Sequence, residues 1–166
     1  MSASGAASEE LPLEVAIKAT YLYKFAPFVQ WPDAAFATPT TPLRLCVLGD
    51  DPFDNALETA VAGQRVGQRP ISVQRFRNAH AAAGCHIVYV AGTNDVSVAS
   101  TLAGLHGTPV LTVTDLPADT RARGVINFVI DGNHVRFDID DAAASRNGLV
   151  ISSKLLRLAH AVKPRP

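Results

Sequence analysis

The chain has 166 residues, of which 48% are apolar and only 18% are charged. A domain of this length buries roughly two thirds of the surface that its unfolded chain exposes, so one domain with its own hydrophobic core is expected. Fifteen basic residues balance fifteen acidic ones, which excludes a strongly basic nucleic-acid-binding surface and an acidic tail. No apolar run approaches the roughly 18 residues of a transmembrane helix, so no membrane-spanning segment is predicted.

The first ten residues, MSASGAASEE, are small and polar and lack the charged and apolar regions of a signal peptide. We expect residues 1–10 to be disordered or left by cloning, and residues 11–163 to form a single α/β domain. An exported protein whose signal peptide has been removed would begin in the same way. The N-terminus therefore does not decide between the cytoplasm and an exported location.

The first predicted helix runs from Leu11 to Val29 and is apolar on two opposite sides. Leu13 and Ile17 mark one side and Ala19 marks the other. A helix of this kind is expected to pack on its own sheet and also against a second surface. Pro27 should end or kink it, because proline cannot donate a backbone hydrogen bond.

Beyond a loop rich in proline and threonine, short apolar strands alternate with helices. The predicted elements are strands at Leu43–Leu48, Ile71–Phe76, His86–Val90 and Pro109–Thr114, and helices at Pro52–Ala62 and from Asn94 or Asp95 to Leu105. Strands that alternate with helices predict a mainly parallel sheet that is covered by helices on both faces.

The clearest local signal is a β-hairpin. Apolar residues alternate on both sides of the turn Asp131-Gly132-Asn133, with Ile126, Phe128 and Ile130 before it and Val135, Phe137 and Ile139 after it. We expect this C-terminal β-hairpin to form an antiparallel edge of the sheet. The predicted fold class is thus a single-domain, mixed α/β sandwich.

Two short helices are predicted after the hairpin. Asp140 is the expected N-cap of the first, which Gly148 should end. Ser152 or Ser153 is the expected N-cap of the second, which should continue to about Val162.

No complete catalytic or cofactor-binding motif is present, so we predict a protein that is not an enzyme and has no metal and no cofactor. Glycine-rich phosphate-binding motifs are absent. Asp50 and Asp51 follow a strand, but the remaining residues of a phospho-receiver site are missing, and turn or capping roles are expected. Cys85 and His86 are neighbours on a strand and should point to opposite faces. The five histidines have no metal-ligand spacing.

The two cysteines, Cys46 and Cys85, allow two interpretations. They are either buried free thiols of a cytosolic protein or one disulfide of a protein in an oxidising compartment. Neither belongs to a Cys-x-x-Cys motif.

Four side chains are candidates for contact with a partner protein. Phe28 and Trp31 are aromatic anchors at the end of the first helix, although both are also compatible with an ordinary core. Arg136 and Arg157 are candidate polar contacts, and for Arg136 a solvated surface position is the alternative. A separate candidate site for a small ligand lies at the carboxyl ends of the strands, at Gly49, Gly92 and Asp115.

Seven segments in the same order resemble the YfiR family of small bacterial periplasmic proteins. They are Ala19–Pro32, Leu45–Phe53, Cys85–Val90, Pro109–Asp115, Ile126–Val129, Val135–Ile139 and Ile151–Ala159. The resemblance extends from about Leu13 to Ala159. The chain departs from the family at Pro27, where a residue compatible with a helix is expected, and it lacks the further cysteines of some members.

The resemblance implies a periplasmic protein that binds the sensor domain of a membrane-bound diguanylate cyclase and represses it, which lowers cyclic di-GMP and biofilm formation. It also implies a homodimer and a disulfide between Cys46 and Cys85. Since the further cysteines are missing, a redox switch built on a second disulfide is not expected here.

Two functions are therefore compatible with the sequence. The first is a non-catalytic periplasmic repressor of a diguanylate cyclase, in which the signal shifts the population between free and bound repressor. The second is a periplasmic small-molecule sensor or carrier that binds its ligand at the strand ends. A rise in melting temperature with a ligand would favour the second, because a ligand that binds only the folded state stabilises it.

Overall fold

A computed structural model describes residues 3–77, 81–91, 95–117 and 119–166, with side chains for all of them except 3–12, 81, 83 and 95–97. The helices are α1 (Ala3–Lys24), α2 (Ala56–Val61), α3 (Asp95–Leu105), α4 (Asp141–Arg146) and α5 (Ser153–Leu158). The strands are β1 (Val29–Gln30), β2 (Leu43–Leu48), β3 (Arg65–Val66), β4 (Arg69–Phe76), β5 (Ile87–Val90), β6 (Leu111–Thr114), β7 (Ile126–Asp131), β8 (His134–Asp140), β9 (Val150–Ile151) and β10 (Ala161–Lys163). The division of the chain at residue 10 stays a prediction.

Eight of these strands form one mixed sheet in the order β10-β8-β7-β6-β5-β2-β4-β3. The central pairs from β4 to β7 are parallel, whereas β7 pairs with β8 and β3 pairs with β4 in the antiparallel sense. The two remaining described strands, β1 and β9, form a short antiparallel ladder. The predicted fold class, a mainly parallel α/β sheet with a hairpin, is confirmed.

Apolar residues pack on both faces of the sheet, as a doubly covered parallel sheet requires. One face packs against α1, α2 and α5 through residues that include Leu45, Val47, Ile87, Tyr89, Leu111, Val113 and Phe128. The other face packs against α3 and carries Cys46, Leu48, Val88, Val90 and Val110. Helices therefore cover both faces, as predicted.

Helix α1 and the residue that follows it turn apolar side chains inward. Ala19, Leu22 and Phe25 are almost completely buried. The Phe25 ring lies 5.2 Å from the ring of Phe137 and 6.0 Å from that of Phe128, in the tilted and edge-on arrangements that aromatic pairs prefer. The helix ends before a 3-10 turn that contains Pro27, which confirms that this proline ends the helix.

The second predicted helix begins later than expected, at Ala56 rather than at Pro52. The Oδ1 atom of Asp51 accepts a hydrogen bond from the backbone N–H of Phe53, which forms a turn in place of a helix cap. Asp54 has a φ angle of 48°, and a residue with this backbone conformation cannot lie inside a right-handed helix. Of the turn and capping roles expected for Asp51, the turn is confirmed and the N-cap role was wrong.

The last predicted helix is shorter than expected and is followed by a strand. Helix α5 ends at Leu158, and the backbone N–H of His160 donates to the carbonyl oxygen of Phe137. Val162 then lies opposite Ile139 in a parallel pairing of β10 with β8. The hairpin β7–β8 is consequently inside the sheet, and the prediction that it forms an edge was wrong.

The caps of the two C-terminal helices are those expected. Asp140 accepts a hydrogen bond from the N–H of Ala143 at the start of α4, and Gly148 has a φ angle of 74° just after its end. Of the two serine alternatives for α5, Ser152 is the N-cap, and its hydroxyl accepts from the N–H of Lys154. Side-chain oxygen atoms at these positions satisfy helix N–H groups that would otherwise lack partners.

Candidate functional site

The two cysteines form a disulfide between two neighbouring central strands. Cys46 lies on β2 and Cys85 lies just before β5, with 6.2 Å between their Cα atoms. Both are buried on the face of the sheet that α3 covers. The pairing implied by the family resemblance is confirmed, and the alternative of two free thiols is excluded.

The strand ends at Gly49 and Ala91 touch each other. Gly49 has a φ angle of 97°, and a Cβ atom at this position would collide with the carbonyl oxygen of Ala91. The N–H of Ala91 donates to the carbonyl oxygen of Leu48. A ligand between these two strand ends would have to displace this contact. Gly92, also predicted to bind a ligand, lies outside the described residues.

The third predicted ligand-binding residue, Asp115, is held by side chains from α1 and β5. Its carboxylate forms an ion pair with the Nζ atom of Lys18, and its negative charge acts on the Tyr89 hydroxyl. Lys18 also pairs with Glu14 at 2.7 Å. Asp115 therefore fixes α1 to the strand ends, and a ligand-binding role for it stays a prediction.

These contacts change the pKa values of both partners of Asp115. Burial alone would lower the pKa of Lys18, but its hydrogen bonds to Asp115 and Glu14 outweigh burial and raise that pKa. Burial raises the pKa of the Tyr89 hydroxyl, and the negative charge of Asp115 adds to this effect. The lysine therefore remains charged and the tyrosine remains neutral throughout the physiological range.

Of the acidic pair after β2, Asp51 has a structural role. Asp51 forms a 2.5 Å ion pair with the Nε atom of Arg75, and the guanidinium of Arg75 also contacts both carboxylate oxygens of Glu58. The hydrogen bond to Arg75 lowers the pKa of Glu58, and the same bond raises the pKa of Arg75. Asp50 is exposed. Among the described residues, no group of His, Cys, Asp and Glu is suited to hold a metal ion.

Both members of the Cys85-His86 pair have structural contacts. Cys85 is in the disulfide, and the Nδ1 atom of His86 accepts from the backbone N–H of Arg44 at 2.9 Å. Because Nδ1 is the acceptor, the proton is on Nε2, which donates to the carbonyl oxygen of Ala35 at 2.8 Å. Burial lowers the pKa of His86, and the nearby charges of Arg69 and Arg44 lower it further.

The four predicted partner-contact residues lie in different places. Trp31 is 8% exposed and belongs to the core, where its indole N–H donates to the carbonyl oxygen of His86. Phe28 is half-buried, and its backbone carbonyl accepts from Ser152 at the start of α5. Arg157 is exposed on that same helix, with its Nε atom 3.3 Å from the carbonyl oxygen of Ser153.

Arg136 lies apart from these residues, on β8. It is half-buried and faces Asp131 across the hairpin, with 3.8 Å between its Nη1 atom and the carboxylate. Phe28 and Arg157 therefore lie near the start of α5, whereas Arg136 is on the hairpin and Trp31 is in the core. Contact with a partner remains a prediction for all four.

An apolar surface that the sequence only partly indicated joins α1 to the tip of the hairpin. Leu13 is 63% exposed, Ile130 is 52% exposed and Ile17 is 36% exposed. Two adjoining cavities of about 360 Å³ each share Ile17. We call this the α1–hairpin surface, and it is lined by Leu13, Glu14, Ala16, Ile17, Thr20, Tyr21, Lys24, Ile130, Gly132, Asn133 and Val135.

The apolar pattern of α1 predicted a second packing surface, and Leu13 and Ile17 are on it. Ile130 was expected to share one face of the hairpin with Ile126 and Phe128, both of which are buried. The β7–β8 ladder continues from Ile126 to Asp131, whereas β6 reaches only as far as Thr114, opposite Asn127. The alternation of residues along a strand cannot show that the strand extends beyond its neighbour.

The fold and these contacts can be compared with known proteins. None of the helices in the described part of the chain has the length and hydropathy needed to cross a bilayer. A comparison with curated proteins gives no significant match. The sequence model of the family described as YfiR/HmsC-like matches residues 15–160. This range includes the C-terminal part of α1, every strand of the sheet except β10, and both cysteines, and the chain belongs to the YfiR/HmsC-like family.

Proposed function

We propose that this chain is a non-catalytic periplasmic regulatory protein. It binds the periplasmic sensor domain of an inner-membrane diguanylate cyclase and represses that enzyme, which lowers cyclic di-GMP. The observation that carries the proposal is family membership over residues 15–160. The Cys46–Cys85 disulfide supports it, because disulfides persist mainly in oxidising compartments such as the periplasm.

The α1–hairpin surface is the part of the molecule that we propose contacts the cyclase. Large apolar side chains that adjoin one another on a surface often mark a protein-binding site. Leu13, Ile17 and Ile130 provide apolar contact area, and Lys24 adds a positive charge at one end of the same surface. When a partner covers a half-exposed leucine or isoleucine, the binding free energy becomes more favourable, because apolar area is removed from water.

Repression requires only that the protein bind the two conformations of the sensor domain with different affinities. If the repressor binds the inactive conformation of the sensor domain more tightly than the active one, it shifts the population towards the inactive state. A ratio of about 10⁴ between the two affinities would be needed to move the equilibrium from almost fully active to almost fully inactive.

The test is capture of the cyclase by the purified, oxidised protein from a detergent extract of the inner membrane of its own bacterium. Bound proteins are identified by mass spectrometry. We expect one protein that joins a periplasmic sensor domain to a diguanylate cyclase domain. If nothing specific is captured while the disulfide is intact and the protein is folded, the proposed function is wrong.

Substitutions on the surface locate the contact. The double variant Leu13→Glu/Ile130→Glu should abolish capture and leave the melting temperature unchanged, because both side chains are mainly exposed. The matched control is Leu158→Glu on α5, which is 61% exposed and lies outside the α1–hairpin surface. Equal capture by the double variant and the control would contradict the assignment of this surface.

A second copy of the chain is the other possible occupant, and we propose a homodimer as a further property. Sedimentation of the wild type and of Leu13→Glu/Ile130→Glu distinguishes the two occupants. A dimer that the double variant abolishes would assign the α1–hairpin surface to the second copy. In that case Phe28, Arg136 and Arg157 become the next candidates for contact with the cyclase.

Because Trp31 is buried, the effect of its replacement on capture has to be separated from its effect on stability. If Trp31→Ala weakens capture but keeps the melting temperature, the indole contacts the partner. If both fall together, Trp31 acts only through the core.

A further inference from the structure

A polar cavity lies beside β7, β8 and β10, on the part of the sheet that carries Asn127 and Asp138. Its volume is about 330 Å³, at the lower end of the range for small-molecule sites. The side chains that matter for its chemistry are Arg121, Arg123, Asn127, Asp138, Asp140 and Lys163. None of them belongs to the α1–hairpin surface or to the strand ends considered above.

Buried polar groups in the lining of this cavity have hydrogen-bond partners within the protein. Asp138 is 9% exposed, and its two carboxylate oxygens face Arg123 at 3.0 Å and the Nδ1 atom of His160 at 3.1 Å. The Oδ1 atom of Asn127 accepts from the Thr114 hydroxyl. A cavity with such a wall is suited to a hydrated or polar occupant and not to an apolar one.

Two of the cations around the cavity are not neutralised, whereas Arg123 is paired with Asp138. Arg121 and Lys163 are both exposed, and neither side chain has a hydrogen bond or ion pair with the described residues. Of the two acidic residues in the lining, Asp138 contacts Arg123 and His160 through its carboxylate oxygens. Asp140 accepts the capping hydrogen bond of α4 through one oxygen. Asp140 has no ion pair within the described part of the chain either, so the unpaired cations Arg121 and Lys163 face one unpaired carboxylate, and the balance of unpaired charge at this cavity is positive.

We propose that this cavity binds a small organic anion that carries a phosphate or carboxylate group and a hydroxyl group. Arg121 and Lys163 bind the anionic group, because guanidinium and ammonium groups form charge-assisted hydrogen bonds to such oxygens. The second carboxylate oxygen of Asp140 and the hydroxyl of Thr120 are available for the hydroxyl of the ligand. This site is independent of the proposed contact with a cyclase.

The test measures the melting temperature of the oxidised protein with glycerol 3-phosphate, malate, inorganic phosphate or glycerol, at matched ionic strength. We expect glycerol 3-phosphate or malate to raise it, by roughly 5–10 °C at a concentration about 100-fold above the Kd. The comparison between the two organic anions shows whether the preferred anionic group is a phosphate or a carboxylate. Glycerol alone should cause no shift.

The double variant Arg121→Gln/Lys163→Gln should lose the shift while it keeps the melting temperature of the unliganded protein. The matched control, Arg77→Gln/Lys154→Gln, removes two exposed cations outside the cavity lining and should keep the shift. The proposal is overturned if neither organic anion raises the melting temperature. It is also overturned if the double variant responds as the control does, since the anion then binds elsewhere.

Discussion

The side-chain ammonium group of Lys18 forms the ion pair that joins α1 to Asp115 at the carboxyl ends of the strands. The side chain of Lys18 is 7% exposed and is shared by Asp115 and Glu14. Removal of the ammonium group leaves the partly exposed carboxylate of Asp115 beside Tyr89 without its cation. Lys18→Met should therefore lower the free energy of unfolding by about 1–3 kcal/mol.

Urea unfolding measures this loss, with Lys24→Met on the same helix as the exposed control. A second substitution in the same background, Asp115→Asn, should restore part of the loss, because the two charges act on each other. If Lys18→Met is as stable as Lys24→Met, the ion pair contributes nothing measurable.

The buried imidazole of His86 should make the stability of the protein depend on pH. Burial lowers the pKa of His86 in the folded state below the ordinary value of about 6.5, so between these two pKa values the unfolded state binds more protons than the folded state. The contribution of the neutral ring to the free energy of unfolding is therefore fully present above about pH 6.5 and is lost as the pH falls. The slope for one such proton is at most about 1.4 kcal/mol per pH unit.

Urea unfolding at several pH values between about 5 and 7.5 measures this slope. The variant His86→Gln should show a flatter dependence on pH, even if it is less stable overall, because Gln does not titrate. The variant His106→Gln replaces an exposed ring and should keep the slope of the wild type. Equal slopes for the two variants would show that His86 is not the group that titrates.

For individual helices and strands, sequence patterns gave correct predictions where neighbouring residues determine the structure. The β7–β8 hairpin, the caps Asp140 and Ser152 and the end of α1 near Pro27 depend on neighbouring residues, and all are found. The last predicted helix failed because the apolar pattern up to Val162 continues after the helix has ended. The pairing of β10 with β8 joins residues 23 positions apart, such as Ala161 and Asp138, which a local pattern cannot show.

The C-terminal strand β10 depends on an arginine that follows it. The Nε atom of Arg165 donates to Asp141 at 3.0 Å, and its Nη2 atom donates to the carbonyl oxygen of Leu149 at 2.8 Å. The other oxygen of Asp141, Oδ1, is buried and has no partner among the described residues. Arg165→Ala leaves this carboxylate without its cation and should cost about 1–3 kcal/mol.

Hydrogen exchange distinguishes a local effect from a global one. In Arg165→Ala, the amides of β10 should exchange faster than those of the central strands, because the segment after His160 opens first. The variant Lys154→Ala, which removes an exposed cation from α5, should show no such change. Unchanged protection of β10 in Arg165→Ala would mean that its backbone pairing with β8 is sufficient.

For the whole molecule, the sequence predicted the class of fold better than it predicted the site. The sheet follows from alternating apolar strands, and the disulfide was implied only by the resemblance to a family. Trp31 was a candidate anchor because it follows the first helix, but its indole is packed against Phe36 and His86. The exposed position of Ile130 and the cavity beside β8 result from contacts between distant strands, which no local pattern contains.

The Cys46–Cys85 disulfide links β2 to the segment before β5 across 39 positions of the sequence. Closure of a loop of this size in the unfolded chain stabilises the folded state by about 4 kcal/mol on the chain-entropy model. This is a large part of the roughly 5–15 kcal/mol of total stability that is typical of a domain. The double variant Cys46→Ala/Cys85→Ala should therefore unfold at a much lower urea concentration than the oxidised wild type.

Reduced wild-type protein is the control for the substitutions themselves, because it loses the covalent link and keeps both sulfur atoms. It should unfold close to the double variant. The oxidised protein, once denatured without reductant, should have no titratable thiol. If the reduced and oxidised proteins unfold at the same urea concentration, the disulfide does not restrict the unfolded chain, and the stability of this domain comes from its noncovalent contacts.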